Sequence, residues 1–401
     1  MADSRDPPQA RFRVQVLNQI AARGLERLPN ELYEIGKAFK EPDAILVRSA
    51  DLHGSTIPGS VKAIARAGAG TNNIPVAAVS QRGVPVFNAP GANANAVKEL
   101  VLAGMLMAAR KLPAATRFVH SLDPGATDLD VRVEDGKRQF GGTELAGKTL
   151  GVIGLGRVGC LVAEAAIHLG MQVVGFDPEI TVEAAWSLPS QVRRAGSVLD
   201  LTRRCDFITV HVPLLAATRH LIDDRQLASL QPGAVLLNFS RDAVVDVQAA
   251  LSALESGRLA CYVCDFPESA IIGHPGVIAL PHLGASTLEA EENCAVMVAD
   301  QLRDYLEHGN LRHSVNFPEA TAPRESAFRV AIANANVPNM LGQISTAMAD
   351  AGLNIHTMLN KSRGEMAYTL VDVDSPVPPA VIGAIAAIEG VLSVRYLPAR
   401  A

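Results

Sequence analysis

The stretch "KTLGVIGLGRVGCLVAEAAIHLGMQVVGFDP", residues 148 to 178, restricts the fold more than any other part of the chain. A short apolar run (149 to 153) leads into "GLGRVG", which opens an apolar helix-forming segment. A second strand, "QVVGF", follows and ends on Asp177. Each glycine has a separate physical task. Gly154 allows a tight turn, Gly156 lets a pyrophosphate approach the backbone, and Gly159 lets the helix pack closely on the strand. The helix start offers unpaired N–H groups and a partial positive charge to phosphates. Asp177 stands 18 residues after Gly159, where a carboxylate accepts hydrogen bonds from ribose hydroxyls and repels a 2′-phosphate. No arginine follows it in "DPEI", which favours NAD over NADP.

Strands and helices alternate on both sides of this unit. Upstream come "RFRVQVLN", "DAILVRS", "VKAIARAG" and "GVPVFNA", then the long helical segment "NANAVKELVLAGMLMAARKL". Residues 121 to 147 are polar and Gly-rich. Downstream come "DFITVHVP", "AVLLNFSR", "LACYVCDFP" and "GVIALPHL", closed by the helical "TLEAEENCAVMVADQLRDYLEHG". Such alternation predicts parallel sheets with crossover helices. After the linker "HSVNFPEATAPRES" the pattern changes. "FRVAIANA", "NMLGQISTAMADAG", "NIHTMLNKS", "EMAYTLVDVD", "PPAVIGAIAAIEG" and "VLSVRYL" read as βαββαβ, a small ferredoxin-like domain. It carries no nucleophile–base pair or metal cluster, so a regulatory or assembly role is expected there. The expected class is α/β: two Rossmann-like, doubly wound parallel-sheet domains plus that terminal domain.

Composition excludes several functions. The 401 residues are 48% hydrophobic with a net charge of −5, and Lys and Arg are scattered, so no basic field recruits nucleic acid. No apolar run reaches the roughly 18 to 20 residues that span a bilayer. The polar start "MADSRDPPQARFR" lacks a signal peptide's apolar core. A cytoplasmic protein is expected. Five cysteines in so long a chain do not suggest a disulfide scaffold. Cys261 and Cys264 form a CxxC, but inside a strand residues three apart face opposite sides, so inert core thiols are expected and no metal site.

Three consecutive downstream strands end on chemistry. "AVLLNFSR" ends in Arg241, "LACYVCD" in Asp265 with Glu268 three residues on, and "GVIAL" leads to His282 in "LPHLGAST". In an open parallel sheet these ends share one rim, where ligands bind. Imidazolium donates a proton to the oxygen of a 2-oxo acid during hydride transfer, and neutral imidazole takes it back in oxidation. A nearby carboxylate raises the imidazole pKa and fixes its tautomer. Arginine's planar fork matches a substrate carboxylate. These assign Arg241, Glu268 and His282 as candidate catalytic residues.

The chain resembles the D-isomer-specific 2-hydroxyacid dehydrogenases. The matching segments are "GTNNIPVAAVSQRGVPVFNAPGANANAVKELV", "KTLGVIGLGRVG", "CDFITVHVPLLAATRHLI", "NFSRDAVVD" and "PHLGASTLEAEENCA". The C-terminal segment resembles an ACT domain, a small-molecule-binding regulatory module. The resemblance implies a discontinuous substrate domain (12–92 with 288–318), an inserted NAD-binding domain (93–287) and an ACT-like domain (326–401). Substrate is expected in the cleft between the first two. It implies that Asp265 holds the nicotinamide carboxamide. Arg157, Val158, Pro213, Thr218, Ser240 and Gly284 would also meet the cofactor. Arg48, Ser49, Gly70 and Asn93 match substrate-touching positions, and Arg48 is the candidate for a substrate phosphate. The implied reaction is NAD-dependent oxidation of 3-phosphoglycerate to 3-phosphohydroxypyruvate, the entry to serine synthesis. A homodimer or homotetramer is implied, with the helix near 93 to 112 as a dimer face by analogy.

Two departures stand out. The family's catalytic glutamate lies five residues after the strand-end aspartate, and here that position is Ala270. Either Glu268 reaches from a shortened loop or Asp265 serves both tasks, with Glu268 preferred. In the ACT-like segment Asn336 and Asn354 match effector contacts, while Asn334 replaces a usual histidine and Asn339 a glycine, which leaves an amino-acid effector open. The rival readings are a dehydrogenase of an unphosphorylated 2-oxo acid and a non-catalytic NAD-sensing protein of the same fold.

Overall fold

The computed structural model describes residues 11–398, so most of the polar opening segment and the last three residues of the 326–401 segment lie outside the described residues. The chain divides into two compact units, one made of the chain before Ala94 together with the chain from Leu288 on, the other running from Ala94 to Thr287.

The first unit is built on a five-stranded parallel sheet. Its strands are β1 (Phe12–Leu17), β2 (Tyr33–Gly36), β3 (Ala44–Val47), β4 (Ala63–Arg66) and β5 (Val86–Phe87), in the order β2-β1-β3-β4-β5. All four residues of β3, "AILV", are buried, as a strand covered on both faces requires. One covering element is the helix Leu288–His308, whose Val298, Ala299, Leu302 and Tyr305 share a core with Val14, Leu46 and Ala65.

The same unit contains the C-terminal sheet. Strands β13 (Phe328–Ala335), β14 (Ile355–Arg363), β15 (Met366–Val373) and β16 (Val391–Pro398) form an antiparallel sheet in the order β14-β15-β13-β16, once the seven strands of the second unit are counted as β6 to β12. Along β13 the side chains alternate between two cores. Val330 and Ile332 pack under the helices Met340–Asp350 and Pro379–Ala386. Ala331 and Ala333, with Tyr368, Leu370 and Leu397, join the core of the five-stranded sheet. Sequence patterning sets 326–401 apart as its own domain. The strands there form their own antiparallel sheet, and its second face is apolar and buried in the core of the first unit. The Arg395 guanidinium lies 4.4 Å over the Tyr305 ring, and the Tyr368 hydroxyl donates to the Gly309 carbonyl at 2.7 Å.

The second unit carries a seven-stranded parallel sheet. Its strands are β6 (Thr149–Ile153), β7 (Gln172–Phe176), β8 (Arg193–Arg194), β9 (Phe207–Val210), β10 (Ala234–Asn238), β11 (Leu259–Cys264) and β12 (Val277–Ala279). The order β12-β11-β10-β9-β6-β7-β8 runs outward from β6 in both directions. The chain therefore reverses its winding between β6 and β9, and the crevice beyond the carboxyl ends there is where such sheets bind ligands. Among the described residues no helix is long and apolar enough to cross a membrane.

Candidate active site

The Gly-rich turn lies at that reversal. Gly154 has φ +90°, and a Cβ there would come within 2.7 Å of the His211 carbonyl oxygen. A Cβ on Gly159 would lie 2.0 Å from the Gly154 oxygen, so the helix Arg157–His168 packs hard on the turn. At Gly156 a Cβ would meet nothing within 4 Å, which leaves the helix start open to a ligand. No side chain caps this helix, so the amides of Arg157 and Val158 head it without a protein side-chain acceptor. The Asp177 carboxylate is held in place by the N–H groups of Leu155 and Glu179, each at 2.9 Å. Two tight glycines, one open glycine and a fixed acid at the next strand end fit an NAD dinucleotide. Opposite them the Thr218 hydroxyl donates to the Pro213 carbonyl at 2.5 Å and accepts from the Leu215 N–H, closing the loop after β9.

The catalytic candidates sit beyond adjacent strands. Arg241 follows β10 by three residues, Asp265 follows β11 directly, and His282 follows β12 by three. Because β10, β11 and β12 are parallel neighbours, their ends lie on one rim. Asn238, fully buried, turns the chain toward Arg241. Its side-chain oxygen accepts from the Ser240 N–H and hydroxyl, and its amide donates to the Arg241 carbonyl at 2.8 Å. Ser240 thus serves as a buried brace, and the Arg241 side chain is exposed.

Asp265 is 1% exposed and clamps the histidine loop. Its two oxygens accept the N–H groups of Leu283 and Gly284, each at 2.7 Å. Gly284 is buried against this carboxylate. Burial pushes the Asp265 carboxyl above its ordinary range, against the pull of those two N–H groups and the His282 charge. His282 itself is exposed, with φ +57° and its ring 5.1 Å from Phe266, edge to face. Glu268 is exposed on the loop after β11, and no hydrogen bond or ion pair joins it to His282 among the described residues. Its charge bears instead on Tyr262 and Cys264. The carboxylate with an electrostatic reach to His282 is Asp265.

His211, which no sequence argument singled out, lies just after β9 with Nε2 2.9 Å from the Thr209 hydroxyl. Burial pushes its pKa down to about 3, so it stays neutral. Burial also raises the Cys264 thiol and pushes Cys261 up to about 12, so neither forms a thiolate at neutral pH.

The residues matched to substrate contacts lie in the first unit. Arg48, at the end of β3, pairs with Glu291 on the helix Leu288–His308 at 2.5 Å, each side chain about one third exposed. Its carbonyl accepts from the Arg66 guanidinium at 3.2 Å, which places a second cation at the neighbouring strand end. Asn18, at φ +68°, accepts the N–H groups of Ser49 and Ala50, and the Asn73 amide donates to the carbonyls of Arg48 and Ala50. Gly70 and Asn93 are half-buried. Asn18, Arg66 and Asn73 were missed in sequence. The signal for Arg66 was available, since it ends β4 as Arg48 follows β3.

In the C-terminal sheet a cavity of about 250 Å³ is lined by Asn334, Asn336, Asn339, Met340 and Asn360. The Asn334 side-chain oxygen is buried there without a hydrogen-bond partner. Asn339 has φ +62°, a conformation that asparagine tolerates where glycine is otherwise used. Asn354 is exposed and does not line this cavity.

Comparison with known proteins shows the family of the chain. Residues 102–284 match the D-isomer specific 2-hydroxyacid dehydrogenase, NAD binding domain. D-3-phosphoglycerate dehydrogenase of Methanocaldococcus jannaschii is 35% identical over 85% of this chain and 63% of its own length, so this chain spans under two thirds of that relative. The Haemophilus influenzae protein of the same name is 33% identical over 82% of this chain and 79% of its own. The solved NAD+-bound 3-phosphoglycerate dehydrogenase of Entamoeba histolytica superposes with a TM-score of 0.59 at 26% identity, over 76% of this chain and 99% of that one. With an open Gly-rich turn, a fixed ribose acid, and arginine, aspartate and histidine on one rim, this chain belongs to the D-isomer-specific 2-hydroxyacid dehydrogenase family.

Proposed function

We propose that the protein is a cytoplasmic enzyme that oxidises 3-phosphoglycerate to 3-phosphohydroxypyruvate with NAD+, the entry to L-serine biosynthesis. The observation that carries this reading is the pairing of Arg241 and His282 at one sheet rim, in a chain 33% identical to a protein named D-3-phosphoglycerate dehydrogenase. NAD+ supplies the hydride acceptor. Arg241 grips the substrate carboxylate in a bidentate contact. Neutral His282 takes the C2 hydroxyl proton as the hydride leaves C2. Asp265 holds the loop that carries His282, accepting from Leu283 and Gly284. With both its oxygens taken by backbone donors, a contact to the nicotinamide carboxamide would use its remaining lone pairs. Arg48, with Arg66 beside it, receives the substrate phosphate. The reading extends to an amino-acid effector in the asparagine-lined cavity and to self-association, as a homodimer or homotetramer, along the helix near 93 to 112, where Leu106 is exposed.

The test is NADH oxidation with 3-phosphohydroxypyruvate, hydroxypyruvate and 2-oxoglutarate, with and without serine. The phosphorylated substrate should give the highest kcat/KM. One observation favours the rival, an unphosphorylated 2-hydroxy acid: Glu291 already neutralises Arg48. A phosphate has to displace that carboxylate, and a neutral hydroxymethyl group does not. Glu291→Gln should therefore raise kcat/KM for 3-phosphohydroxypyruvate about tenfold, roughly the 1.4 kcal/mol of one charge-assisted contact, and leave hydroxypyruvate unchanged. Equal effects on both substrates would move the phosphate away from Arg48.

A further inference from the structure

Beside Asp177 lies a cavity of about 240 Å³ lined by Leu155, Asp177, Ile180, Leu188, Arg193 and Arg194. It occupies the open edge of the seven-stranded sheet. Strand β8 pairs with β7, setting Arg193 opposite Val174 and Arg194 opposite Gly175, two residues short of Asp177. The ribose acid and two arginines thus share one hollow. Both arginines are exposed, and neither guanidinium has an ion pair or hydrogen bond among the described residues. Asp177 turns both oxygens toward its own loop, accepting from Leu155 and Glu179. The hollow carries two positive charges against one negative, so its balance suits an anion although its innermost group is an acid.

We propose that this cavity is a phosphomonoester subsite for the ribose 2′ position, so that the enzyme takes NADPH as well as NADH. This rests on the cofactor lying along the Gly-rich turn with its adenosine ribose at Asp177. Asp177 accepts from a 2′-hydroxyl and sets the preference for NADH. A 2′-phosphate is repelled by that carboxylate and attracted by Arg193 and Arg194, whose planar forks match its oxygens. The arginines escape a sequence search confined to the residues after Asp177, because they reach the site from the next strand.

The test measures the ratio of NADPH to NADH dissociation constants by calorimetry, together with 2′,5′-ADP against 5′-AMP as substrate-free probes. Arg193→Ala/Arg194→Ala should raise the ratio at least tenfold and leave NADH affinity unchanged within twofold. Asp177→Ser should lower the ratio at least tenfold. Adding both arginine substitutions to Asp177→Ser should remove that gain. A ratio indifferent to the arginines in both backgrounds overturns the subsite and leaves the NADH assignment intact. Failure of the unaltered protein to bind NADH or 5′-AMP overturns the cofactor placement and the subsite together. All three positions have at least part of their surface in solvent, and single arginine variants divide the effect between Arg193 and Arg194.

Discussion

His282→Ala is expected to lower kcat by about 10²–10⁴, the usual worth of a general acid–base group, and to leave NADH affinity unchanged. In free energy that is about 3–5 kcal/mol of transition-state stabilisation. The side chain is exposed and packs edge to face against the Phe266 ring, so its loss leaves no cavity in the core. The backbone is the complication. At φ +57° alanine carries a steric cost of roughly 1–2 kcal/mol, which could displace the loop by itself. His282→Asn avoids this, since asparagine tolerates the left-handed region and has no group that titrates near neutrality. Steady-state turnover of both variants, with NADH titration by fluorescence, settles the assignment. Equal losses in the two variants place the effect in the imidazole. Full activity in His282→Asn would remove His282 from the reaction, and loss of NADH binding in both would make it a structural support of the cofactor cleft.

Residues whose role follows from local geometry could be read from sequence. "GLGRVG" between a strand and a helix specifies its turn because three glycines at that spacing meet three local steric demands, and the structure has a φ of +90° at Gly154 and a forbidding contact at Gly159. Asp177, Arg241, Asp265 and His282 are legible for a related reason: each lies within three residues of the end of an apolar strand, and parallel strands deliver such residues to one rim. The supporting residues escape because their partners are distant in sequence. Asn18 holds the loop at Ser49, and Asn73 holds the carbonyls of Arg48 and Ala50. Neither is distinguishable from a turn asparagine until the strands are assembled. Loop conformation is the least legible of all. Glu268 stands three positions after Asp265, and nothing in that spacing tells whether its charge acts on His282 or, as here, on Tyr262 and Cys264. The double covering of the C-terminal sheet also has a signal in the sequence. A ferredoxin-like sheet with one bare face would place polar residues at 331, 333, 368 and 370. "VAIANA" instead stays apolar on both faces up to Asn334, the mark of a strand covered twice.

Arg329→Met is expected to destabilise the unit that contains it by about 3–5 kcal/mol, the cost of stranding one partner of a buried ion pair. Arg329 and Asp372 are 1% and 2% exposed. The guanidinium meets the carboxylate with both Nε and Nη2, at 2.6 and 2.8 Å. Its other donors reach the carbonyls of His308, Ala322 and Pro323. Five donors therefore meet five acceptors, and they tie the end of the helix Leu288–His308 and the following linker to the C-terminal sheet. Lysine cannot reproduce this fork, so Arg329→Lys should recover little. Burial alone would raise the Asp372 carboxyl, but the Arg329 hydrogen bonds and charge, helped by the Glu325 N–H, hold it below the ordinary range. A depressed folded pKa contributes stability that is complete above the unfolded value of about 4 and is lost as pH falls through the folded value. In Arg329→Met the sign reverses: burial, opposed only by the Arg324 charge and the Glu325 N–H, raises the carboxyl, and protonation relieves the cost. Urea midpoints of the two proteins should therefore differ most near pH 7 and converge toward pH 4.5. A gap that stays constant across that range would mean that Asp372 remains ionised in the variant and would overturn the raised carboxyl expected there.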